Sequence, residues 1–154
     1  MLWVGSSDGA IYAVDLTTFS LRTRTHAHEN SVFSLLYLPS SARLVSGGRD
    51  ARIHLWATDA PDALRLLNAE SLPTHLFTVN SLALSPCGQY IASASRDKTV
   101  KIWRSSDLML LRVVDTIRHR LHHQSINCLL WQKNRLITGS DDRTMMAYAV
   151  TSDE

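Results

Sequence analysis

Ile91-Ala92-Ser93-Ala94-Ser95-Arg96-Asp97-Lys98-Thr99-Val100-Lys101-Ile102-Trp103 is one of four related segments in this chain. Leu44 to Trp56, Leu136 to Tyr148 and Trp3 to Val14 superimpose on it without a gap. Each places an Asp six residues before a large apolar residue: Asp8 and Val14, Asp50 and Trp56, Asp97 and Trp103, Asp142 and Tyr148. The aspartates lie 42, 47 and 45 residues apart. Chance does not hold both the inner spacing and the outer period, so the chain is an array of one repeated unit.

The unit reads as β-structure. Ser-Gly-Gly-Arg-Asp at 46–50, Ser-Ala-Ser-Arg-Asp at 93–97 and Thr-Gly-Ser-Asp-Asp at 138–142 interrupt β-favouring runs, as tight hairpin turns do. Ahead of each stand Val32 to Leu38, Val79 to Leu84 and Ile126 to Trp131, apolar on both parities, as in a strand covered on both faces. Ser85-Pro86-Cys87-Gly88 matches a type I turn, with Pro at its second position and Gly at its fourth. Ala63 to Ala69 and Leu108 to Val114 suggest a fourth, outer strand, and no segment shows helical periodicity over ten residues. The predicted unit is a four-stranded antiparallel sheet.

Composition narrows the function classes. Of 154 residues, 45% are hydrophobic and 19% charged, the balance of a packed globular chain. A formal net charge of +2 is too small for the phosphate-neutralising surface of a nucleic-acid binder. No apolar run reaches the roughly 18 residues of a membrane span. The opening Met1-Leu2-Trp3-Val4-Gly5-Ser6-Ser7-Asp8 lacks the basic region of a secretory signal, so the expected compartment is the cytoplasm. The two cysteines, Cys87 and Cys128, form no Cys-x-x-Cys pair and are expected as small, half-buried residues, not as a disulfide.

With this period and four strands per unit, the chain resembles the WD-repeat β-propeller family. The third unit, from Thr74-His75 through Val79-Asn80-Ser81-Leu82 to Trp103, is the closest copy; His28 to Trp56 and His122 to Tyr148 are looser ones. The resemblance implies an all-β fold of four-stranded antiparallel blades in an incomplete ring of about 3.5 blades. It divides the chain into 1–26 (lacking a first strand), 27–73, 74–118 and 119–154 (lacking an outer strand). Because a blade normally begins one strand earlier than residue 1, the expectation is the C-terminal half of a roughly seven-bladed propeller.

The resemblance also implies a structural hydrogen-bond tetrad in three units: His28, Ser46, Asp50 and Trp56; His75, Ser93, Asp97 and Trp103; His122, Thr138, Asp142 and Tyr148. Tyr148 stands where Trp is usual, which puts the last bond in doubt. The chemistry is sound in itself, since a buried carboxylate needs donors, and an imidazole, a hydroxyl and an indole form a chain of them. The first unit has Val4 in place of the hydroxyl and no preceding His, so no tetrad is expected there.

Nothing points to catalysis. Ser, His and Asp are the parts of a hydrolase triad, but they recur in consecutive units, as architecture does and an active site does not. Ser95-Arg96-Asp97-Lys98 matches Ser-x-x-Lys only within a hairpin turn. No Gly-x-Ser-x-Gly or Gly-x-Gly-x-x-Gly occurs. His119, His122 and His123 cluster without a Cys or carboxylate at ligand spacing, so no metal or cofactor is expected.

What remains is surface recognition. The resemblance implies one face on which Asn30, Phe77 and His123 join Ser7, Arg49, Arg96 and Asp141, the last four each just before a repeat Asp. Arg and Phe at a concave mouth suit protein binding; the arginines would equally serve to screen Asp50 and Asp97. The expected function is a non-enzymatic protein-interaction scaffold with protein partners and no nucleic-acid or membrane ligand. Two alternatives stand beside it. One is a piece of a propeller enzyme or ligand-binding module whose working residues lie in missing blades. The other is a half-propeller that self-associates or pairs with its missing half.

Overall fold

The computed structural model describes residues 1–60, 63–67 and 74–149. They form two compact units, Met1–Val79 and the remainder from Asn80, and contain four separate antiparallel sheets, none of them closed. In the first unit β1 (Leu2–Gly5), β2 (Ala10–Val14) and β3 (Leu21–His26) make a three-stranded sheet. There, β4 (Val32–Leu38), β5 (Arg43–Gly48), β6 (Ile53–Ala60) and β7 (Ala63–Leu66) make a four-stranded one. The second unit takes in the sheet of β8 (Val79–Leu84), β9 (Tyr90–Ser95), β10 (Val100–Arg104) and β11 (Leu110–Val114). It ends with β12 (Ile126–Gln132), β13 (Arg135–Ser140) and β14 (Met145–Ala149). Residues 68 and 69 of the expected outer strand lie outside the described residues. One helical turn, α1 (Thr116–His119), precedes β12, capped by the Asp115 side chain, which accepts the Arg118 N–H. It is too short to leave a periodic trace in sequence.

Register repeats from sheet to sheet. The aromatic six residues after the repeat Asp pairs with the apolar residue six before it: Trp56 with Leu44, Trp103 with Ile91, Tyr148 with Leu136. The residue directly after each Asp is in the left-handed region: Gly9 at φ 79°, Ala51 at 66°, Lys98 at 70° and Arg143 at 66°. That conformation turns the hairpin sharply enough for the Asp side chain to fold back on its own turn. The backbone N–H groups of Ala10, Arg52, Thr99 and Thr144 each donate to the Asp two residues earlier.

Burial differs from the sequence expectation in one respect. The segments apolar on both parities are not the most enclosed strands. Leu130 in β12 remains 57% exposed, since among the described residues of its unit one face of that strand is uncovered. Burial peaks instead on β5 and β9, whose last five residues are all buried. Their Gly, Ala and Ser side chains are small enough for close packing on both faces. In the first unit Ile11, Ala27, Val32, Leu44, Trp56 and Leu64 form one cluster joining the two sheets. In the second, Ala92, Ala94, Val100, Leu121, Ile126 and Leu136 do the same. There the two sheets are also pinned by Asn80 Nδ2 donating to Ile126 O (2.9 Å) and Trp131 Nε1 donating to Ala83 O (3.2 Å).

Cys87 and Cys128 are free and exposed, not half-buried. Cys87 occupies a turn corner, where Gly88 N–H donates to Ser85 O (2.8 Å), and a corner side chain points outward.

Candidate functional site

The repeat Asp residues sit in turns at one end of each sheet; one of the three expected tetrads can be followed bond by bond, and a second through its inner half. His28 Nδ1 lies 2.9 Å from Asp50 Oδ1, and His28 Nε2 lies 2.8 Å from Ser46 Oγ. Trp56 Nε1 donates to the same Ser46 oxygen at 2.9 Å. A carboxylate only accepts, so Nδ1 carries the ring proton and Nε2 accepts the serine hydroxyl. The relay runs indole to hydroxyl to imidazole to carboxylate. All of it is enclosed: His28 is 2% exposed, Ser46 0% and Trp56 4%. Burial opposes the charge of Asp50, yet the bonds from His28 and from the Arg52 and Glu29 N–H groups outweigh it and hold the carboxyl below its usual pKa.

The last unit repeats the inner half of this relay. His122 Nδ1 meets Asp142 Oδ2 at 2.9 Å and Nε2 meets Thr138 Oγ1 at 2.8 Å. Tyr148 does not complete it, because its hydroxyl donates to Met146 Sδ at 2.9 Å. Of the third set, His75 belongs to the first unit, where it is 1% exposed and donates its backbone N–H to Ala51 O. The second unit holds Ser93, Asp97 and Trp103, with Trp103 Nε1 donating to Ser93 Oγ at 2.8 Å. In the first sheet Asp8 has different partners: Arg24 Nη2 (2.9 Å) and Tyr12 Oη (2.9 Å), both at the surface. The Arg24 bond leads the effects that hold Asp8 well below the carboxylate range.

Some participants were not singled out from sequence. Thr99 and Thr144 donate their hydroxyls to Asp97 and Asp142 at 2.6 Å. Thr at the second position after the repeat Asp in two units is the signal that could have found them. His54 was also missed. It is 6% exposed, packs against His28 with ring centroids 4.7 Å apart, and among the described residues its Nδ1 has no hydrogen-bond partner. Burial, and then the neighbouring His28, lowers its pKa to about 4. His28, Asp50 and His54 bring three possible ligand atoms within 4.8 Å, a grouping different from the histidines that cluster in sequence. His28 already spends both ring nitrogens on the relay, so the set is better explained as packing than as a metal centre.

The residues expected on the recognition face are all exposed: Asn30, Arg49 and Phe77 in the first unit, Arg96, His123 and Asp141 in the second. Arg49 is fixed through its backbone N–H, which donates to Ser31 O at 2.9 Å. Among the described residues neither the Arg49 nor the Arg96 guanidinium forms an ion pair with a carboxylate. Asp141 accepts from Asn127 Nδ2, and the His123 backbone N–H donates to Asp142 (3.1 Å).

Four sheets on one turn chemistry define a repeat protein of propeller blades, and sequence comparison agrees. The family described as "WD domain, G-beta repeat" matches residues 18–57, 68–104 and 115–148, well over half of the chain. This chain belongs to the WD40 family. It is 32% identical over 101 residues to Protein HIR1 of Mycosarcoma maydis, covering 66% of this chain and 9% of that one. It is 25% identical over 136 residues to Pre-mRNA-processing factor 19 of Mus musculus, covering 88% of this chain and 25% of that one. The chain therefore spans a quarter or less of these relatives. Among solved structures it resembles the computationally designed Ika4 protein, with a TM-score of 0.78 and 25% identity over 97% of this chain and 84% of that one. The designed Ika8 protein matches at a TM-score of 0.77 over the same share of this chain but 43% of its own.

Proposed function

We propose that this chain is a non-catalytic protein-interaction scaffold that recognises its partner through the exposed turns around the buried aspartates. WD40 repeats generally mediate protein–protein interactions. The observation that carries the reading here is the pair Arg49 and Arg96, each exposed and without a carboxylate partner among the described residues, one residue ahead of a locked Asp. A fork-shaped cation on a rigid turn loses little entropy on binding a carboxylate. Phe77, 58% exposed, supplies an apolar anchor in the first unit. The partner chemistry favoured is an acidic segment with an apolar side chain. Free, exposed thiols at Cys87 and Cys128 suit a reducing compartment, which supports the cytoplasm as its setting.

The test is the triple substitution Arg49→Ala, Arg96→Ala and Phe77→Ala, measured against a partner recovered by affinity capture. Affinity should fall at least tenfold while the melting midpoint hardly moves. Unchanged affinity moves recognition to another surface.

A second reading, self-association, is favoured by one observation: apolar side chains of the first sheet stand exposed at its surface. Leu2, Val4 and Leu21 are 46%, 41% and 58% exposed on the first sheet, surface that a second copy would cover. Sedimentation at micromolar concentration decides it, and a sharp monomer near 17.3 kDa would exclude it.

A further inference from the structure

The second unit contains a cavity of about 150 Å³ lined by Val100, Ile102, Val114, Leu121, Leu136 and Tyr148, with Thr138 on its wall and Arg112 and His119 also bordering it. Counting from the repeat Asp and His shows what the equivalent place holds in the first unit. Val100 corresponds to Ile11, Leu121 to Ala27, Leu136 to Leu44 and Tyr148 to Trp56. Ile11, Ala27 and Leu44 are the residues clustered with Trp56. The cavity therefore lies at the place Trp56 fills in the other unit, taken here only in part by Tyr148, which packs against the Val100, Leu121 and Leu136 cluster. Tyr148 is the smaller ring and is only half-buried, whereas Trp56 and Trp103 are 4% and 5% exposed.

The polar wall has the matching deficit. Ser46 and Ser93 each accept an indole N–H, at 2.9 and 2.8 Å. Thr138 is 1% exposed and shares its hydroxyl with His122 Nε2, but no indole donates to it, because Tyr148 is turned to Met146. A buried oxygen with an unused lone pair facing apolar space is an acceptor waiting for a donor. Among the described residues, no strand beside β14 supplies a counterpart to Leu64, which packs on the Trp56 cluster from β7.

We propose that this cavity is a binding site for a small planar heteroaromatic molecule of the indole class, its ring among Val100, Leu121 and Leu136 and its N–H donated to Thr138 Oγ1. An apolar cavity of roughly this volume holds one benzene-class ring in a protein interior. Arg112 borders the cavity and would favour ligands with an anionic substituent on the ring. The site is independent of the recognition face and of its test.

The probes are indole and its isostere benzothiophene, which has no N–H, added to the full chain. Millimolar indole should raise the melting midpoint by a few degrees, as a ligand of the folded state alone does. Benzothiophene should bind about three- to tenfold more weakly, the worth of one hydrogen bond. Thr138→Val should erase that preference while keeping weak binding of both. Tyr148→Trp should fill the cavity, raise the midpoint without ligand and abolish the response to indole. The proposal is overturned if indole leaves the wild-type midpoint unchanged, if Tyr148→Trp responds as the wild type does, or if Thr138→Val still prefers indole.

Discussion

Gly5 and Val32 meet so closely that one carbon added to Gly5 would stand 2.7 Å from Val32 Cγ1 and 2.9 Å from its Cβ. Gly5 ends β1 and Val32 starts β4, and Val32 N–H donates to Ser6 O at 2.9 Å, so neither side can simply swing away. Gly5→Ala should destabilise the chain by about 1–3 kcal/mol through overpacking. Denaturant midpoints check this, and the double variant with Val32→Ala should recover part of the loss. An unchanged midpoint for the single variant would mean that these two sheets are not in register as described.

The two kinds of repeat Asp should respond differently to removal. Asp50 is bound by His28 Nδ1 and by the Glu29 and Arg52 N–H groups, and its side chain is 4% exposed. Asp50→Ala strands those donors in a closed site and should cost about 2–4 kcal/mol. Asp8 has good partners in Arg24 and Tyr12, but its ion pair has side chains 42% and 52% exposed, so water replaces what is lost. Asp8→Ala should cost a small fraction of the Asp50 value. Equal losses in denaturant midpoint would show that the buried relay contributes nothing beyond the turn itself.

How far this was legible in sequence follows from what kind of fact each feature is. The repeat period, the antiparallel strands of each unit among the described residues and the Asp-to-aromatic register are fixed by spacing, and spacing survives into structure unchanged. Burial did not follow from apolar pattern, because β5 and β9 are enclosed through small residues that carry no hydropathy signal. His54 was invisible for a similar reason. It is the fourth residue after Asp50, where the other units have Tyr12, Lys101 and Met146, so no repeat pattern marks it. The turn of Tyr148 toward Met146 is a rotamer choice made by its neighbours. Sequence could show that Trp was missing there, and only the packing shows the space it leaves.

His54 gives the fold an acid-sensitive point. The ring is buried neutral, with its pKa lowered from 6.5 to about 4. Between those values the unfolded chain binds a proton that the folded chain refuses, so stability falls as pH drops from 6.5 toward 4 and is fully present above it. The shift corresponds to at most about 3 kcal/mol. Asp50 weakens the fold only lower down, once pH approaches the ordinary carboxylate range, because its pKa is lowered too. Urea midpoints of wild type and His54→Leu at pH 7 and pH 5 separate these effects. The wild type should lose more on acidification than the variant, and parallel losses would remove His54 from the account.

Equivalent turn positions should answer to opposite substitutions. Gly9 and Lys98 each follow a repeat Asp and each is left-handed, at φ 79° and 70°. At Gly9 an added Cβ would run into His28 O and lie 3.1 Å from Asn30 O, on top of the strain that an L-residue meets in this region. Gly9→Ala should therefore destabilise by about 1–3 kcal/mol. Lys98 already bears that strain, on an exposed side chain. Lys98→Gly relieves a conformational cost of about 1–2 kcal/mol and gives back part of it as extra freedom of the unfolded chain, for a net gain of up to about 1 kcal/mol. Melting both variants beside the wild type reads the two signs at once. A loss at Lys98→Gly as large as that at Gly9→Ala would mean that the lysine side chain, and not the backbone, is what the turn needs at that position.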